Sequence, residues 1–309
     1  MNRRRVRSKW RRIDGILLLD KPLGLSSNEA LQRVRRLYNA ERAGHTGSLD
    51  PLATGLLPVC FGEATKLCGL LLDGDKHYHA SVVLGVSTTT GDGEGQVREQ
   101  SDPSDVTLEH IQNVLPRFRG PISQVPPMHS ALKHQGQPLY HLARAGQEVD
   151  RPAREIMIHR LDVIDYASGR LDLDIVCSKG TYIRTLAEDI AAAVGQQAHL
   201  GALRRIGASP FAAPTPMLSF EALHHAAEQG QSALDALLTP PLAGLADWPR
   251  WQADETQLAL LLGGRRLRIP GLSPGRIAVV DARDRLCGMA RVLDDGLLAP
   301  ERWLLPTPD

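Results

Sequence analysis

The chain has 309 residues, 42% of them hydrophobic and 23% charged, which is the composition of an ordinary globular protein that can bury a core. The length exceeds the usual size of one domain, so we expect one large domain and one small domain. Aromatic residues make up only 4%, which argues against the extended base-stacking platforms of non-specific single-strand binders.

The net charge of +1 conceals a basic arm at the start of the chain. Residues 1–12 contain seven arginine and lysine residues, so the rest of the chain carries a net negative charge. Such an arm suits contact with the phosphates of a nucleic acid, and a solvated tail is the alternative.

The cysteines and the apolar segments indicate the compartment. The four cysteines show no metal-ligand spacing, which predicts buried thiols in a reducing cytosol. The apolar residues 16–19 are too few for the core of a signal peptide or for a membrane span. We therefore expect a cytoplasmic protein that makes no contact with a membrane.

The first predicted elements are a strand and a capped helix. Residues 15–22 predict a short buried strand that ends at a proline. Ser26 and Glu29 have the spacing of a capping box, and residues 31–37 continue with the apolar stripe of a helix.

A glycine-rich loop follows at residues 44–55 (GHTGSLDPLATG). Its glycines and proline disfavour both a regular helix and a central strand. Asp50 is the only carboxylate in this loop, and His45 precedes it. The apolar residues 56–61 predict a buried strand that would hold the loop and aim one side chain. Ordinary turn chemistry is the alternative interpretation.

Helices and strands alternate from there to residue 194. The patterns predict helices at 63–72, about 107–115, 140–145 and 183–194, strands at 77–86, 156–164 and 171–175, and an extended proline-containing segment at 124–133. Arg184 lies in the first turn of the last of these helices, where a cation is unfavourable with respect to the helix dipole. It therefore needs a compensating partner, such as a carboxylate.

The last part of the chain predicts a small β-rich module. Short helices at 220–228 and 232–238 lead to a Pro/Gly stretch, near which we place a boundary between residues 1–247 and residues 248–309. Beyond the boundary the patterns predict a helix at 256–262 and strands at 265–269, 276–280 and 286–292.

Several motifs carry a family resemblance. The loop at 44–55, followed by residues 62–66 (GEATK), closely resembles the catalytic motif of the TruB family, the tRNA pseudouridine-55 synthases. Residues 178–185 (SKGTYIRT) and 199–205 (HLGALRR) are further matches. Thr89 stands where the family more often has an acidic residue, and His129 stands where it commonly has tyrosine or phenylalanine.

The resemblance implies an α+β fold, with a mixed, mainly antiparallel sheet flanked by helices and followed by a small β-rich, PUA-like RNA-binding domain. It implies an enzyme that converts one uridine of the tRNA T loop, at position 55, into pseudouridine. The enzyme would break the N1 glycosidic bond of a flipped-out uridine, rotate the uracil and rejoin it through C5. This isomerisation needs no redox cofactor or group carrier, and we expect no metal.

The resemblance also implies roles for partners and single residues. The partner would be the T-arm stem-loop of tRNA, with no obligate protein partner and a monomeric enzyme. Asp50 would be the catalytic carboxylate, which stabilises the oxocarbenium character of the sugar, traps it covalently or removes a proton. Arg184 would pair with Asp50 and keep it charged. Tyr78 would stack on the target base and is counted as catalytic, and Tyr182 and Leu203 would complete the base pocket. His45 would fill the space that the uridine leaves. Lys21 and Lys66 would hold phosphate or support the loop.

Two other functions are alternatives. One is a non-catalytic RNA-binding or RNA-folding factor on the same scaffold, although the presence of both Asp50 and Arg184 argues against lost activity. The other is a metal-dependent hydrolase that uses His45 with Asp50 and Asp20. The sequence offers no paired-histidine spacing for such a site.

Overall fold

The computed structural model of the chain describes residues 10–130 and 132–304. The residues of the basic arm that lie outside the described part are Arg3, Arg4, Arg5, Arg7 and Lys9. Within the described part, Arg11 forms a bidentate ion pair with the Asp235 carboxylate, and Arg12 Nε lies 3.6 Å from Glu41 Oε2. The described end of the arm is therefore bound to the body of the protein.

The strands before residue 209 build one mixed sheet, as predicted, and two separate two-stranded sheets. Their bounds are β1 (Gly15–Lys21), β2 (Ala43–His45), β3 (Ala53–Phe61), β4 (Lys76–Leu84), β5 (Val86–Thr88), β6 (Val97–Gln100), β7 (Gly120–Gln124), β8 (Lys133–His134), β9 (Gln137–Pro138), β10 (Arg154–Ala167), β11 (Arg170–Cys177) and β12 (Ala198–Ala208). Strand β5 pairs with β6 and β8 pairs with β9 in the two small sheets, whereas the 8-stranded mixed sheet has the order β1-β3-β12-β4-β11-β10-β7, with β2 also paired to β3. Only the described pairing of β12 with β3 is parallel in this sheet, so the sheet is mainly antiparallel.

Helices cover this sheet and mostly follow the predicted pattern. Their bounds are α1 (Ser27–Leu37), α2 (Cys68–Asp73), α3 (Leu108–Val114), α4 (Leu139–Arg144), α5 (Ile183–Ala193), α6 (Phe220–Gln229) and α7 (Gln231–Asp235). The capping box of Ser26 and Glu29 is confirmed at α1. The helix expected at 63–72 is divided, because a 3-10 helix (Gly62–Leu67) precedes α2. None of the described helices is long and apolar enough to cross a membrane.

Strand β3 lies between two hydrophobic cores. Its Leu57 and Val59 pack into the main core, which also contains residues of α1 and α5. Its Leu56 and Cys60 pack into a second core, which also contains residues of the C-terminal sheet. Because successive side chains of a strand point to opposite faces, burial on both faces explains the unbroken apolar run at 56–61.

The part of the chain after residue 249 is β-rich, as predicted. Its elements are β13 (Arg250–Gln252), α8 (Glu255–Leu262), β14 (Leu267–Arg268), β15 (Gly275–Val280), β16 (Leu286–Val292) and β17 (Leu297–Trp303). They include a 5-stranded sheet in the order β13-β15-β16-β17-β14. The sequence pattern missed β13 and β17, since the first has only 3 residues and the second contains Pro300, which favours an edge or a bulge.

Candidate active site

The glycine-rich loop joins β2 to β3, and its backbone is held at several points. The Leu49 amide donates to Ser27 Oγ at 2.6 Å, and the same hydroxyl donates to the Leu49 carbonyl at 3.0 Å. The Gly24 amide donates to the Pro51 carbonyl at 2.9 Å. Asp50 lies between these two anchored residues, so its side chain projects from a fixed backbone.

The loop is shorter than predicted, because β3 begins at Ala53. Gly55, which we expected in the loop, is a strand residue paired with Arg205 of β12. Its φ is +96°, and a Cβ at this position would lie 2.2 Å from the Arg205 carbonyl oxygen. Glycine is required here because β12 passes so close to the strand that carries the loop.

Asp50 and Arg184 form an ion pair at the start of α5. Arg184 Nη2 lies 3.1 Å from Asp50 Oδ2, and the arginine side chain is 7% exposed whereas the aspartate side chain is 48% exposed. Arg184 also donates to the carbonyls of Thr90 at 2.9 Å and His129 at 2.7 Å. The cation in the first turn of α5 therefore has the carboxylate partner that its unfavourable position relative to the helix dipole predicted.

A second carboxylate, Asp92, also faces Arg184, and sequence reasoning missed it. Asp92 Oδ2 lies 3.5 Å from Arg184 Nη1, and the Asp92 side chain is 4% exposed. Its carboxylate also accepts hydrogen bonds from the Glu94 amide at 3.1 Å and from the Thr90 hydroxyl. The available signal was a carboxylate in a second glycine-rich loop, at residues 88–95, since one guanidinium can pair with two carboxylates.

Asp50 and Arg184 border a cavity of about 610 Å³, a volume within the usual range for small-ligand sites. The predicted residues that line it are Asp50, Tyr78, Tyr182, Arg184 and Leu203. Tyr78 comes from β4 and Leu203 from β12, which are neighbouring strands of the sheet. Residues far apart in the sequence thus meet at one opening, with the carboxylate on one side and two aromatic rings and a leucine around it.

Two further buried cations lie at this cavity, and sequence reasoning selected neither. Arg205 is 1% exposed and donates to the carbonyls of Leu56 at 2.7 Å and Gly47 at 3.1 Å. Lys76 donates to the Leu72 carbonyl at 2.5 Å, and burial, followed by the charge of Arg205, lowers its pKa to about 8. Arg205 belongs to the HLGALRR motif and Lys76 stands two residues before Tyr78 in a stretch that also resembles the family, so a signal was available for both.

Three predicted residues do not line this cavity. Lys21 is 0% exposed, and its Nζ donates to the carbonyls of Leu25 at 2.6 Å and Pro22 at 3.0 Å. Burial lowers the pKa of Lys21 to about 8, against an opposing effect of the Asp50 charge. His45 lies in β2, burial lowers its pKa, and its Nδ1 is buried with no hydrogen-bond partner among the described residues.

Lys66, the third of these residues, connects two parts of the protein. Its Nζ donates to the Trp303 carbonyl at 2.8 Å and pairs with Glu63. It therefore joins the end of β17 to the 3-10 helix that follows β3, away from the cavity. This geometry favours support of the fold over contact with phosphate.

The residues of the hydrolase alternative do not converge on one point. Among the described residues, the group of three whose potential ligand atoms come together is His77, His79 and Asp174, which does not include His45, Asp50 or Asp20. The geometry of a metal site built on Asp50 is therefore not found in the described part of the chain.

Three family models match consecutive parts of the chain. Residues 35–183 match the N-terminal domain of TruB family pseudouridylate synthases, and residues 184–245 match the C-terminal domain of tRNA pseudouridylate synthase B. Residues 249–304 match the C-terminal model of pseudouridine synthase II TruB.

Curated relatives are identical to this chain at about half of the aligned positions. The tRNA pseudouridine synthase B of Ectopseudomonas mendocina is 52% identical over 95% of this chain and 96% of its own length. The Pseudomonas aeruginosa protein of the same name is 50% identical over 95% of this chain and 97% of its own length. That of Nitrosococcus oceani is 48% identical over 94% of this chain and 95% of its own length.

Solved structures support the fold alone. A chain from the crystal structure of a Cbf5-Nop10-Gar1 complex matches with a TM-score of 0.74 at 23% identity, covering 94% of this chain and 85% of that one. A chain from an H/ACA RNP bound to a substrate RNA containing 2′-deoxyuridine matches with a TM-score of 0.73 at 22% identity, with the same coverage.

Proposed function

This chain belongs to the TruB family and is a tRNA pseudouridine synthase, and we propose that its target is the uridine at position 55 of the T loop. The enzyme isomerises uridine in tRNA to pseudouridine. The proposal adds the target position, the catalytic residue and the residues that hold the base.

The observation that carries the proposal is the pairing of Asp50 with Arg184 at the opening of the cavity. A half-exposed carboxylate can reach a substrate, while the buried guanidinium fixes its position at 3.1 Å. Charge-assisted contacts of this kind hold a reacting group in one orientation beside an enclosed pocket. Asp50 is therefore our catalytic carboxylate, and Arg184 is the residue that positions it.

The reaction balances without a co-reactant. The bond between N1 of uracil and C1′ of ribose breaks, the uracil rotates, a bond forms between C5 and C1′, and the proton on C5 is exchanged with solvent while N1 gains one. Asp50 acts at the reacting nucleoside, as a nucleophile, as a base or as a stabiliser of the positive charge on the sugar. All three roles require an ionised carboxylate within reach of C1′ or its neighbours.

The walls of the cavity suit a base that has left its stack. Tyr78 is buried and offers a ring face for stacking, and burial raises its pKa, so its hydroxyl stays protonated at neutral pH. Tyr182 and Leu203 also line the cavity. A base held in this way is separated from water, as enzymes that act on flipped nucleotides require.

We assign the remaining residues to support and to binding. Lys21 would hold the turn beside Asp50 through its two backbone contacts, and His45 would occupy the space that the uridine leaves. Lys66 would support the fold by joining β17 to the 3-10 helix rather than hold phosphate. Residues 1–247 would form the catalytic domain and residues 248–309 a PUA-like RNA-binding domain. We infer a monomer that works in the cytoplasm with the T arm of tRNA as its binding partner.

The test uses a T-arm stem-loop RNA with 5-tritiated uridine, in which loss of the C5 tritium reports the reaction. We expect tritium release from the wild-type sequence and none after the uridine at position 55 is replaced by cytidine. Release that persists with cytidine at 55 would contradict the target position. Tight binding of the wild-type RNA without any release would favour the RNA-folding factor instead.

A further inference from the structure

The outer face of strand β4 carries two histidines that the proposed reaction does not use. Tyr78 of this strand lines the catalytic cavity, so the neighbouring His77 and His79 point to the opposite face of the sheet. Asp174 of β11 is paired in register with His79 and shares that face. The rings of His77 and His79 meet edge to face with centroids 6.0 Å apart.

The ligand-type atoms of these side chains converge. One nitrogen of each histidine and one oxygen of Asp174 all lie within 4.8 Å of one another. In a tetrahedral zinc site with bonds near 2.0–2.1 Å, ligand atoms are separated by about 3.3 Å. Small rotations of these partly exposed side chains can bring the separations between the ligand atoms, which are 4.8 Å or less, to that distance. Imidazole and carboxylate are ordinary zinc ligands, and three of them leave a fourth position for water.

The present contacts of His77 are in conflict, and a cation would resolve that conflict. His77 Nε2 faces Asp174 Oδ1, an acceptor, and also lies 2.8 Å from Arg160 Nη2, a donor. If Nε2 carries a proton, it opposes the guanidinium, and if it does not, its lone pair opposes the carboxylate oxygen. A metal ion bound by both the nitrogen and the oxygen satisfies both lone pairs at once.

Arg160 contacts two of these three side chains, His77 and Asp174. Its Nη2 also lies 2.9 Å from Asp174 Oδ2, and its side chain is 46% exposed. Asp162 Oδ2 lies 4.0 Å from Arg160 Nε, so the Asp162 carboxylate offers the guanidinium another acceptor on the same exposed surface. The guanidinium can therefore leave the site and remain paired when a divalent cation enters.

We propose that His77, His79 and Asp174 form a Zn²⁺ site on the outer face of the sheet, and that Arg160 competes with the ion for it. The site lies on the opposite face of β4 from the catalytic cavity and does not depend on the proposed reaction. A bound ion would tie β4 to β11, the strands that carry Tyr78 and lead to Arg184. Its expected effect is a higher melting temperature, because an ion that binds only the folded state stabilises it.

The experiment is calorimetric titration of Zn²⁺ into the untagged full chain after removal of metals. We expect one ion per chain. His79→Ala and Asp174→Asn should each weaken binding by at least about tenfold, since each removes a ligand. Arg160→Gln should strengthen binding, because it removes the competing charge. The matched control is His224→Ala, an exposed histidine on α6, which should bind like the wild type.

The opposite signs of these effects make the proposal falsifiable. Circular dichroism checks that the variants are folded, and Co²⁺ in place of Zn²⁺ should give a ligand-field spectrum without thiolate charge transfer. The proposal is overturned if the wild type binds no Zn²⁺. It is equally overturned if His79→Ala leaves binding unchanged, if Arg160→Gln fails to strengthen it, or if Co²⁺ shows thiolate ligation.

Discussion

Replacement of Asp92 by asparagine tests whether this buried carboxylate holds Arg184 in place. Asp92 Oδ2 lies 3.5 Å from Arg184 Nη1 and is almost fully shielded from solvent. Two unit charges at this separation attract by about 5 kcal/mol at an effective dielectric constant of 20. Asparagine keeps an acceptor for the Glu94 amide, and Arg184 keeps Asp50 and two backbone carbonyls. Arg184 therefore loses only part of the total electrostatic stabilisation that it receives from its partners.

We expect the free energy of unfolding to fall by roughly 2 kcal/mol, which is less than the cost of leaving a buried charge with no partner. The single-turnover rate should fall by more than about tenfold, because a small displacement of a reacting group is costly. Unfolding in urea followed by tryptophan fluorescence measures the first effect. Tritium release at saturating T-arm RNA measures the second.

Asp162→Asn is the matched control for this prediction. Asp162 also pairs with an arginine, with Arg119 Nη2 at 3.2 Å, but its side chain is 55% exposed. An exposed pair contributes up to about 1 kcal/mol, and this one lies outside the cavity, so stability should change little and the rate should not change. If Asp92→Asn matched Asp162→Asn in both measurements, Asp92 would have no part in positioning Arg184.

Three further predictions follow from the same geometry. Gly55→Ala should prevent folding or lower the free energy of unfolding by more than about 3 kcal/mol, because the added Cβ would lie 2.2 Å from a backbone oxygen. The control is Gly24→Ala, where φ is +81° but an added Cβ would meet no atom within 4 Å, so the free energy of unfolding in urea should fall by only about 1–2 kcal/mol. Because burial lowers the pKa of Lys21 to about 8 in the folded state from 10.5, the unfolded state binds more protons between these values. The stability of the wild type relative to Lys21→Met should therefore rise from pH 8 to pH 10.5, and a flat difference would contradict the burial argument. Activity should survive EDTA once monovalent salt supports the RNA fold, and complete loss restored by one divalent ion, with RNA structure unchanged, would contradict a carboxylate-only mechanism.

The elements predicted well are those whose signals are local. The strand β1 follows from its apolar run and the proline after it, and α1 follows from the spacing of Ser26 and Glu29. The helix α5 follows from its three- and four-residue apolar period. In the candidate site, Asp50 was selected as the only carboxylate of the glycine-rich loop and through the family resemblance, whereas Arg184 was selected because a cation in the first turn of a helix needs a partner.

Other features were missed because they depend on contacts between distant residues. The strand β12 contains Arg204 and Arg205, which are unusual in a central strand. Arg205 is tolerated because it donates to the carbonyls of Leu56 and Gly47, which come from another part of the chain. The role of Asp92 depends in the same way on Arg184, far along the sequence. Periodicity and propensity describe neighbours in sequence, so they contain no information about these partners.

The most direct test of the account is the conversion of T-arm uridine by Asp50→Asn. Asparagine has nearly the same size as aspartate and the side chain is half exposed, so the variant should fold and bind the RNA. The control is Asp20→Asn, since Asp20 also pairs with an arginine, with Arg204 Nη2 at 2.8 Å, but lies outside the cavity. We expect Asp50→Asn to slow tritium release by several orders of magnitude while changing RNA affinity by less than about tenfold, or roughly 1.4 kcal/mol, and we expect an unaffected rate in the control. Tritium release by Asp50→Asn at close to the wild-type rate would show that Asp50 is only a turn residue and would contradict the account.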